Sequence, residues 1–472
     1  MPIGDTLGGF IRPGYNPLLV TDAPTIGTAS PGGDNAVSVT FTAPSDVGGG
    51  AVTGYTATAR DTVSGVIFAA TGSSSPIVVT GLTTGQSYTV TVSATNAYGP
   101  SGESAASNST AEGLIPGELW TWGWNSKGQL GHDNTTDLSS PVQVGALTTW
   151  KLVSASYYKV QMIKSDGTLW GMGRNGEGNL GDGTSTDRSS PVQAGVATTW
   201  KEVSAGMMAA LGVQTNGTLW AWGTGSSGSL GQGDTTNRSS PSQIGALTDW
   251  LTAGMGYKCS VAVKTDGTLW SWGRGTYGQL GHGNTTSLSS PVQVGALTDW
   301  LKAAVGYEHT VAIKTDGTLW AWGTGSYGRL GLNNTTNYSS PKQVGALTTW
   351  STVSGGYRHT VAVKTDGTIW GLGRNASGEL GQGNTTTYSS PVQVGALTTW
   401  DAATGMAAAS AITGATQTDG TLWIWGSNDK GQQGQGNTTV YSSPKQVGAL
   451  TTWLRVSVGG PSGTSTGGIK TA

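Results

Sequence analysis

The side chains best suited to metal or acid–base chemistry in this chain are four histidines and one cysteine. A zinc site needs three or four such ligands brought together, usually from closely spaced pairs. No carboxylate or thiol pattern at ligand spacing accompanies the histidines, and two of them fill one position of a repeated motif. We therefore expect structural rather than metal-binding roles for His132, His282, His309 and His359.

No other arrangement of catalytic residues stands out. The chain contains no recognisable Ser/His/Asp set, nucleotide-binding loop or pair of carboxylates at catalytic spacing. Its single cysteine, Cys259, excludes a disulfide framework within the chain. The sequence predicts a non-enzymatic protein without catalytic residues, cofactor or bound metal.

Tryptophan is the other chemically distinctive residue, and all 20 tryptophans lie after residue 117. Fourteen of them form two ladders with a step of 50 residues, and the last member of each ladder is displaced by three residues. A cofactor or light-sensing role needs clustered side chains, whereas a fixed period is typical of packing between repeated units. We interpret both ladders as packing positions. The ladders are Trp120, Trp170, Trp220, Trp270, Trp320, Trp370 and Trp423, and Trp150, Trp200, Trp250, Trp300, Trp350, Trp400 and Trp453.

Each copy of the repeat has the strand content of one propeller blade. In the copy that ends at Trp350, a short strand at Val311–Lys314 is followed by the hairpin signal Asp316-Gly317 and a second strand at Thr318–Trp322. Two further short segments end the copy. About four strands in 50 residues predict a seven-bladed β-propeller.

The phase of the repeat predicts how the ring closes. The last copy stops at Ile469–Ala472, where the hairpin turn should follow, and the first copy starts at Gly117–Trp120, just after that turn. We therefore predict that Gly468–Thr471 pairs with Leu119–Trp122. Such a pair removes the free sheet edges of an open array.

The segment 21–113 alternates apolar and polar residues between turn signals, which predicts an antiparallel β-sandwich of about seven strands. Its second half, from Gly81–Gly85 onward, resembles a fibronectin type III domain. The resemblance implies that Tyr88 anchors a corner and that the final strand follows the turn from Asn96 to Gly99. The chain departs from the family where a core tryptophan is usual, because it has Phe41 there.

Two motifs recur together in the repeats: W-G-x-x-x-x-G-Q-L-G-x-G, as at Trp272–Gly283, and G-Y-x-H-T-V-A-x-K-x-D-G, as at Gly306–Gly317. They resemble the regulator of chromosome condensation repeat, which implies a seven-bladed propeller. Members of that family carry out unrelated functions, including nucleotide exchange on a small GTPase, chromatin binding, ultraviolet sensing and β-lactamase inhibition. The fold therefore does not choose the function.

The predicted layout is all-β, with an N-terminal arm at residues 1–20, a fibronectin type III-like sandwich at 21–113 and a propeller at 114–472. The arm carries apolar side chains that suit docking on a partner chain or on the protein itself. Its candidate anchoring residues are Phe10, Ile11, Tyr15, Leu18 and Leu19.

Comparison of the copies shows which positions vary while the scaffold stays constant. Equivalent positions of a ring lie on one face, and Tyr, Met and Arg are enriched at contact surfaces. The positions after the TTW strand form our candidate binding face, although drift at solvent positions explains the same variation. Its residues are Tyr157, Tyr158, Met208, Tyr257, Lys258, Tyr307, Glu308, Tyr357 and Arg358.

Two further sets of variable positions are candidate annuli. The first comprises Trp124, Arg174, Thr224, Arg274, Thr324 and Arg374. The second comprises Leu138, Arg188, Arg238, Leu288, Tyr338, Tyr388 and Tyr441.

The charge and composition of the chain argue against nucleic acid and membranes as partners. A net charge of −2 provides no field that attracts nucleic acid, and no run of about 20 apolar residues spans a membrane. The start of the chain lacks the basic and apolar regions of a secretory signal, so we expect no export by that route.

The hypothesis we favour is a structural or adhesive protein on the surface of a phage virion, assembled in the host cytoplasm. The arm would bind other virion proteins, and the propeller would bind a host-surface glycan or protein; a homo-oligomer is compatible with this layout. The alternative is a bacterial exported or surface protein that binds or inhibits a partner through one propeller face, with an extracellular or cell-surface location. A nucleotide exchange factor fits less well, because the copies are uniform and the N-terminal segment is not basic.

Overall fold

The structure, a computed structural model, describes residues 19–33, 36–62, 65–82, 87–111, 114–401, 406–459 and 465–472. The chain divides into two compact units, Met1–Leu114 and Ile115–Ala472. Both consist of β-strands, with two single turns of 3₁₀ helix in the second unit at Ser226–Gly228 and Ser326–Gly328. No helix among the described residues has the length and apolarity that a membrane crossing requires.

The N-terminal unit is a two-sheet sandwich. One sheet has the order β1-β2-β5, and the other has β4-β3-β6-β7 with β8 paired to β6. The strands are β1 (Thr25–Gly33), β2 (Ala36–Thr42), β3 (Gly54–Asp61), β4 (Ile67–Gly72), β5 (Ile77–Val79), β6 (Ser87–Asn96), β7 (Gly99–Pro100) and β8 (Thr110–Ala111).

The alternation of the sequence explains this sandwich. Along β6 every second side chain is buried, which places Tyr88, Val90 and Val92 in the core between the sheets. Phe41, at the position where a tryptophan is usual in the family, is buried and contacts Tyr55 with ring centroids 4.7 Å apart. Phe41 therefore fills, with a smaller ring, the core position that a tryptophan usually fills in the family.

Most of the predicted anchoring arm, including Phe10, Ile11, Tyr15 and Leu18, lies outside the described residues. Leu19 is described, and its carbonyl oxygen accepts hydrogen bonds from the Gly49 N–H and the Asn96 Nδ2, both at 2.8 Å. The backbone at Leu19 is thus tied to the sandwich.

The second unit contains seven antiparallel sheets of four strands each, the architecture of a seven-bladed propeller. We number the blades along the chain from the one that contains β9. The strands of the second unit are β9 (Glu118–Gly123), β10 (Leu138–Gln143), β11 (Trp150–Ser156), β12 (Lys159–Lys164), β13 (Leu169–Gly173), β14 (Arg188–Gln193), β15 (Trp200–Ala205), β16 (Ala209–Gln214), β17 (Leu219–Gly223), β18 (Arg238–Gln243), β19 (Trp250–Met255), β20 (Cys259–Lys264), β21 (Leu269–Gly273), β22 (Leu288–Gln293), β23 (Trp300–Val305), β24 (His309–Lys314), β25 (Leu319–Gly323), β26 (Tyr338–Gln343), β27 (Trp350–Gly355), β28 (His359–Lys364), β29 (Ile369–Gly373), β30 (Tyr388–Gln393), β31 (Met406–Ala408), β32 (Ile412–Thr416), β33 (Leu422–Gly426), β34 (Tyr441–Gln446), β35 (Trp453–Val458) and β36 (Ser465–Lys470).

Blades 2 to 7 are each a meander of four consecutive strands, from β11–β14 to β31–β34. The first strand of blades 2 to 7 and β35 of blade 1 line a central channel with a volume of about 420 Å³. In blades 2 to 7 the second and third strands join through the predicted Asp-Gly turns, with Asn216-Gly217 in blade 3. At Gly317 the turn needs a positive φ of 76°, and a Cβ there would lie 2.2 Å from the Thr348 carbonyl oxygen, so glycine is required twice over.

The tryptophan at the start of each first strand is buried and packs across a blade boundary. Trp300, which is 2% exposed, shares a core with Val261 and Leu280 of the preceding blade. The predicted packing role of this ladder is confirmed by that contact. The indole N–H of all seven residues of this ladder has no hydrogen-bond acceptor among the described residues. Their burial therefore depends on contacts of the ring rather than on a hydrogen bond from the indole N–H.

The other ladder is half-buried and pairs with lysine. Lys314 Nζ lies 5.1 Å from the Trp300 ring centroid, 4.5 Å from that of Trp320 and 3.2 Å from the Asp299 carboxylate. Cation–π contact between an ammonium group and an indole face is favourable at these distances. Lys164, Lys264 and Lys364 repeat the contacts with two tryptophans, and Lys264 also pairs with Asp249 at 3.3 Å.

Neighbouring blades are also joined through one buried carbonyl oxygen, which we call the carbonyl node. The Gln279 oxygen of blade 4 accepts hydrogen bonds from Thr310 Oγ1 at 2.8 Å and Trp322 Nε1 at 2.9 Å, both in blade 5. The carbonyl oxygens of Ser229, Glu379 and Gln432 accept equivalent pairs of bonds at three other boundaries.

Blade 1 combines both ends of the propeller, as the repeat phase predicts. β36 pairs antiparallel with β9, with Gly468 opposite Trp120 and Ile469 opposite Leu119. Lys470 Nζ lies 2.6 Å from the Glu118 carboxylate, and this hydrogen bond lowers the pKa of Glu118. The pairing starts earlier than predicted, at Ser465, and ends at Lys470.

Deletion of residues 467–472 should therefore open the ring. Blade 1 would lose most of its second strand and would leave unpaired edges, so we expect a loss comparable to the whole stability of a domain, more than about 5 kcal/mol. Thermal unfolding followed by tryptophan fluorescence measures it. Deletion of residues 471–472 alone is the control, and equal melting of both truncated proteins would contradict the closure.

Candidate binding face around the central channel

The predicted binding residues lie in the hairpins between the first and second strands of the blades. We call the turn residues 157–158, 207–208, 257–258, 307–308 and 357–358 the hairpin rim. They are all half-buried. Met207, Tyr257, Tyr307 and Tyr357 line the end of the channel on this side. The rim comprises all the predicted residues, namely Tyr157, Tyr158, Met208, Tyr257, Lys258, Tyr307, Glu308, Tyr357 and Arg358.

The second variable set meets the rim because strand direction alternates within a blade. The loop after each third strand returns to the same end as the hairpin. Trp124 contacts Tyr158 with ring centroids 5.0 Å apart, and Arg274 forms an ion pair with Glu308 at 3.4 Å. Two annuli that are separate in the sequence therefore form one surface.

The third variable set lies apart from the rim. These residues open the outermost strand, so that Arg188 is opposite Gly173, three strands from the channel. Arg188 pairs with Asp182 at 2.9 Å and Arg238 with Asp234 at 2.8 Å, within their own blades. The guanidinium groups of Arg188 and Arg238 are therefore paired with carboxylates of their own blades.

Backbone hydrogen bonds link successive hairpins around the channel. The Tyr307 N–H donates to the Gly356 oxygen at 3.2 Å, and the Tyr357 N–H donates to the Ala409 oxygen at 2.8 Å. The close approach requires glycine, because a Cβ on Gly306 would lie 2.2 Å from His309 Cε1 and 2.5 Å from the Gly356 oxygen. The rim is held in place by this belt.

His309 and His359 lie beneath the rim and bridge blades. His309 Nε2 lies 2.9 Å from Thr360 Oγ1, whose hydroxyl donates to the Arg329 carbonyl oxygen. The imidazole therefore donates from Nε2. Burial lowers the pKa of His359 to about 3, which keeps its ring neutral near pH 7. No group of three or more potential metal ligands occurs among the described residues.

Lys159 occupies the same position in blade 2 and is fully buried. Its Nζ donates to the Ala209 oxygen at 2.8 Å and lies 3.3 Å from the Asn179 oxygen. Burial, with a smaller contribution from Arg174, lowers the pKa of Lys159 to about 7. Two carbonyl oxygens, rather than a carboxylate, thus contact the Lys159 amino group at the boundary between blades 2 and 3.

Three tyrosines stack along one side of the channel mouth. Tyr257 and Tyr307 are nearly parallel at 13° with centroids 4.6 Å apart, and Tyr307 and Tyr357 are 4.2 Å apart. Burial raises the pKa of Tyr307, and the neighbouring tyrosine hydroxyls raise it further. The Tyr307 hydroxyl therefore stays protonated and able to donate.

Positive charge surrounds these tyrosines. Arg358 lies 5.1 Å from the Tyr327 ring centroid and donates to the Tyr327 hydroxyl at 3.3 Å. Arg329, 3% exposed, donates to the Tyr357 carbonyl oxygen at 3.1 Å. Burial lowers the pKa of Arg329 to about 10.

Arg329 was missed from the sequence because it occupies the second position of the G-Q-L-G motif, which we read as scaffold. That position has Gln279 in one copy, Arg329 in the next and Glu379 in the one after. This change of charge at a nominally constant position is the signal that identifies it. Tyr277 and Tyr327, two exposed rings beside the rim, were missed in the same loops.

Comparison with known families agrees with the repeat pattern. The model of the regulator of chromosome condensation (RCC1) repeat matches residues 116–159, 166–211, 216–263, 266–313, 316–363, 366–415 and 419–461. The chain belongs to the RCC1-repeat family. The fibronectin type III model matches residues 22–110 of this RCC1-repeat protein. No curated protein sequence matches the chain.

Solved propellers of the family share the fold. Prp20p from Saccharomyces cerevisiae, described with its binding to Gsp1p and histones, is 18% identical with a TM-score of 0.67; the match covers 76% of this chain and 93% of that one. Human WBSCR16 is 19% identical with a TM-score of 0.66, covering 75% and 99%. At these identities the likeness concerns the fold alone.

Gly306→Ala should destabilise the propeller by about 1–3 kcal/mol, because the new methyl group collides with His309 and the Gly356 oxygen. Chemical denaturation measures the change. Gly176→Ala is the matched control: its Cβ would contact nothing within 4 Å, so we expect less than about 0.5 kcal/mol. Equal effects of the two substitutions would contradict the tight belt.

Lys159→Met should stabilise the protein by about 1–3 kcal/mol at pH 7, because it removes a buried ammonium group. The unfolded chain holds this proton up to its ordinary pKa of 10.5, whereas the folded chain releases it near pH 7. Stability of the native protein should therefore rise with pH between these values, and the gain from the substitution should shrink. Unfolding free energies at pH 7 to 10 test this, with exposed Lys445→Met as the control. A gain that does not change with pH would contradict it.

Proposed function

We propose that this RCC1-repeat protein is a non-enzymatic surface protein of a phage virion that displays its propeller for attachment to the host. Its N-terminal region would bind other virion proteins. The coarser part of this proposal, a binding role, agrees with the family: solved relatives are described in complex with, or binding to, Kap60, Gsp1p and histones.

The observation that carries the binding role is the hairpin rim. Half-buried tyrosine, methionine and arginine side chains converge at one end of the channel, and a belt of backbone hydrogen bonds holds them. Such residue types dominate the binding energy of interfaces, and a rigid support lowers the entropy cost of binding.

The layout of the chain supports the virion proposal. A fibronectin type III domain precedes the propeller, which fits a spacer that carries a binding head away from an anchor. The repeats are near-identical and contain few charged residues. Many copies on one particle would turn weak individual contacts into strong attachment.

Electron microscopy of particles purified from the source, with mass spectrometry of their proteins, tests this proposal. We expect the chain in stoichiometric amounts, with the propeller directed outward. Its absence from particles, with free protein in the lysate or medium, would reject the virion role. The exported or surface binding protein would then be the better explanation.

A further inference from the structure

The hairpin rim and the loops beside it divide into two arcs of different composition. We call Trp124, Tyr157, Tyr158, Met207 and Met208, over blades 1 to 3, the apolar arc; it contains one cation, Arg174, whose Nη1 lies 4.0 Å from Met208 Sδ. Trp124 and Tyr158 pack edge to face, and Tyr157 lies against Tyr158 with centroids 3.9 Å apart. These large side chains remain partly exposed at the surface.

The cationic arc covers blades 4 to 6 and comprises Lys258, Arg274, Arg329 and Arg358, together with one carboxylate, Glu308. Arg274 pairs with Glu308. Lys258 and Arg358 make no ion pair with a carboxylate in the described parts of the chain. Arg274, Arg329 and Arg358 lie near enough to the Glu308 carboxylate to act on its charge, and Lys258 adds a fourth cation, in a protein whose net charge is −2. The arc thus has a local excess of positive charge that an anionic group can complement.

The geometry of the rings indicates how an anion would be bound. Tyr257 and Tyr307 cover each other's faces, and the Arg358 guanidinium lies 4.9 Å from the Tyr357 centroid. The ring faces of these tyrosines, which would stack on a sugar, are therefore partly covered by a neighbouring ring or by the guanidinium group. A guanidinium group stacked on an aromatic ring keeps its N–H edge available for a carboxylate.

We propose that the rim binds a polypeptide segment in which apolar side chains are followed by aspartate or glutamate. The apolar part would contact the apolar arc, and the carboxylates would contact Lys258 and Arg358. This inference rests on the proposed binding role of the rim and adds the chemistry of the partner. An acidic glycan matches the cationic arc but supplies nothing comparable for Met207, Met208 and Trp124.

Selection from a displayed library of random 12-residue peptides on the immobilised full-length protein tests the inference. We expect enrichment of peptides that combine apolar residues with Asp or Glu. Lys258→Gln with Arg358→Gln should weaken binding of the selected peptides about tenfold or more. Met208→Gln should reduce the apolar preference while the acidic preference stays.

The matched control is Lys342→Gln with Lys445→Gln, which removes the same charge from exposed lysines of the outermost strands. Binding should then be unchanged. Unaltered melting of each variant shows that the fold is intact. Immobilised oligogalacturonate is tested in parallel, and its binding without selection of acidic peptides would overturn the inference. Selection of peptides with no acidic bias, or equal binding by both double variants, would also overturn it.

Adsorption of particles that carry the Lys258→Gln and Arg358→Gln chain separates the two proposals. Reduced adsorption without acidic peptides in the selection means that the rim binds the host by other chemistry. Acidic peptides with unchanged adsorption mean that the peptide inference holds and the attachment role fails.

Discussion

Packing between neighbouring blades is the interaction on which the propeller depends, and the carbonyl node gives that packing its direction at four of the seven boundaries in the described residues. A single blade is a small twisted sheet with two apolar faces, and it cannot bury them alone. Apolar packing brings blades together without direction, whereas the Gln279 oxygen fixes one geometry because it accepts from Thr310 and Trp322 at once. At the boundaries that have the node, the relative position of neighbouring blades and of their hairpins follows from that geometry. The candidate binding face thus depends on the boundaries between blades rather than on any one blade.

Most of the fold could be predicted because it rests on periodic features. The 50-residue step predicts the number of blades, and the phase of the repeat predicts the closing pair of β36 and β9. Periodicity also places equivalent residues at one end of the ring. It does not show which of several variable sets meet, because strand direction within the blade decides that. Trp124 and Tyr158 meet for this reason, whereas Arg188 stays three strands from the channel.

The electrostatics of the face could not be predicted from the sequence. Arg329 and Glu379 occupy a motif position whose backbone belongs to the scaffold, and their side chains point to different partners in different copies. Burial determines the protonation of other groups that the sequence does not distinguish. Lys159, Cys259 and His309 occupy equivalent positions of the repeat and are all buried, yet burial lowers the pKa of the lysine and raises that of the cysteine. One environment acts oppositely on acids and bases because it disfavours charge of either sign.

Because blade 1 takes two strands from each end of the propeller, every junction between consecutive copies falls at the same point of the repeat. An unequal crossover between two copies in the gene would add or remove a whole blade and leave the closing strands untouched. The carbonyl node would form at the new boundary wherever the following copy supplies both donors, a Thr or Ser hydroxyl and a tryptophan N–H. The size of the ring, and with it the width of the channel, is therefore a property that recombination can change in a single event.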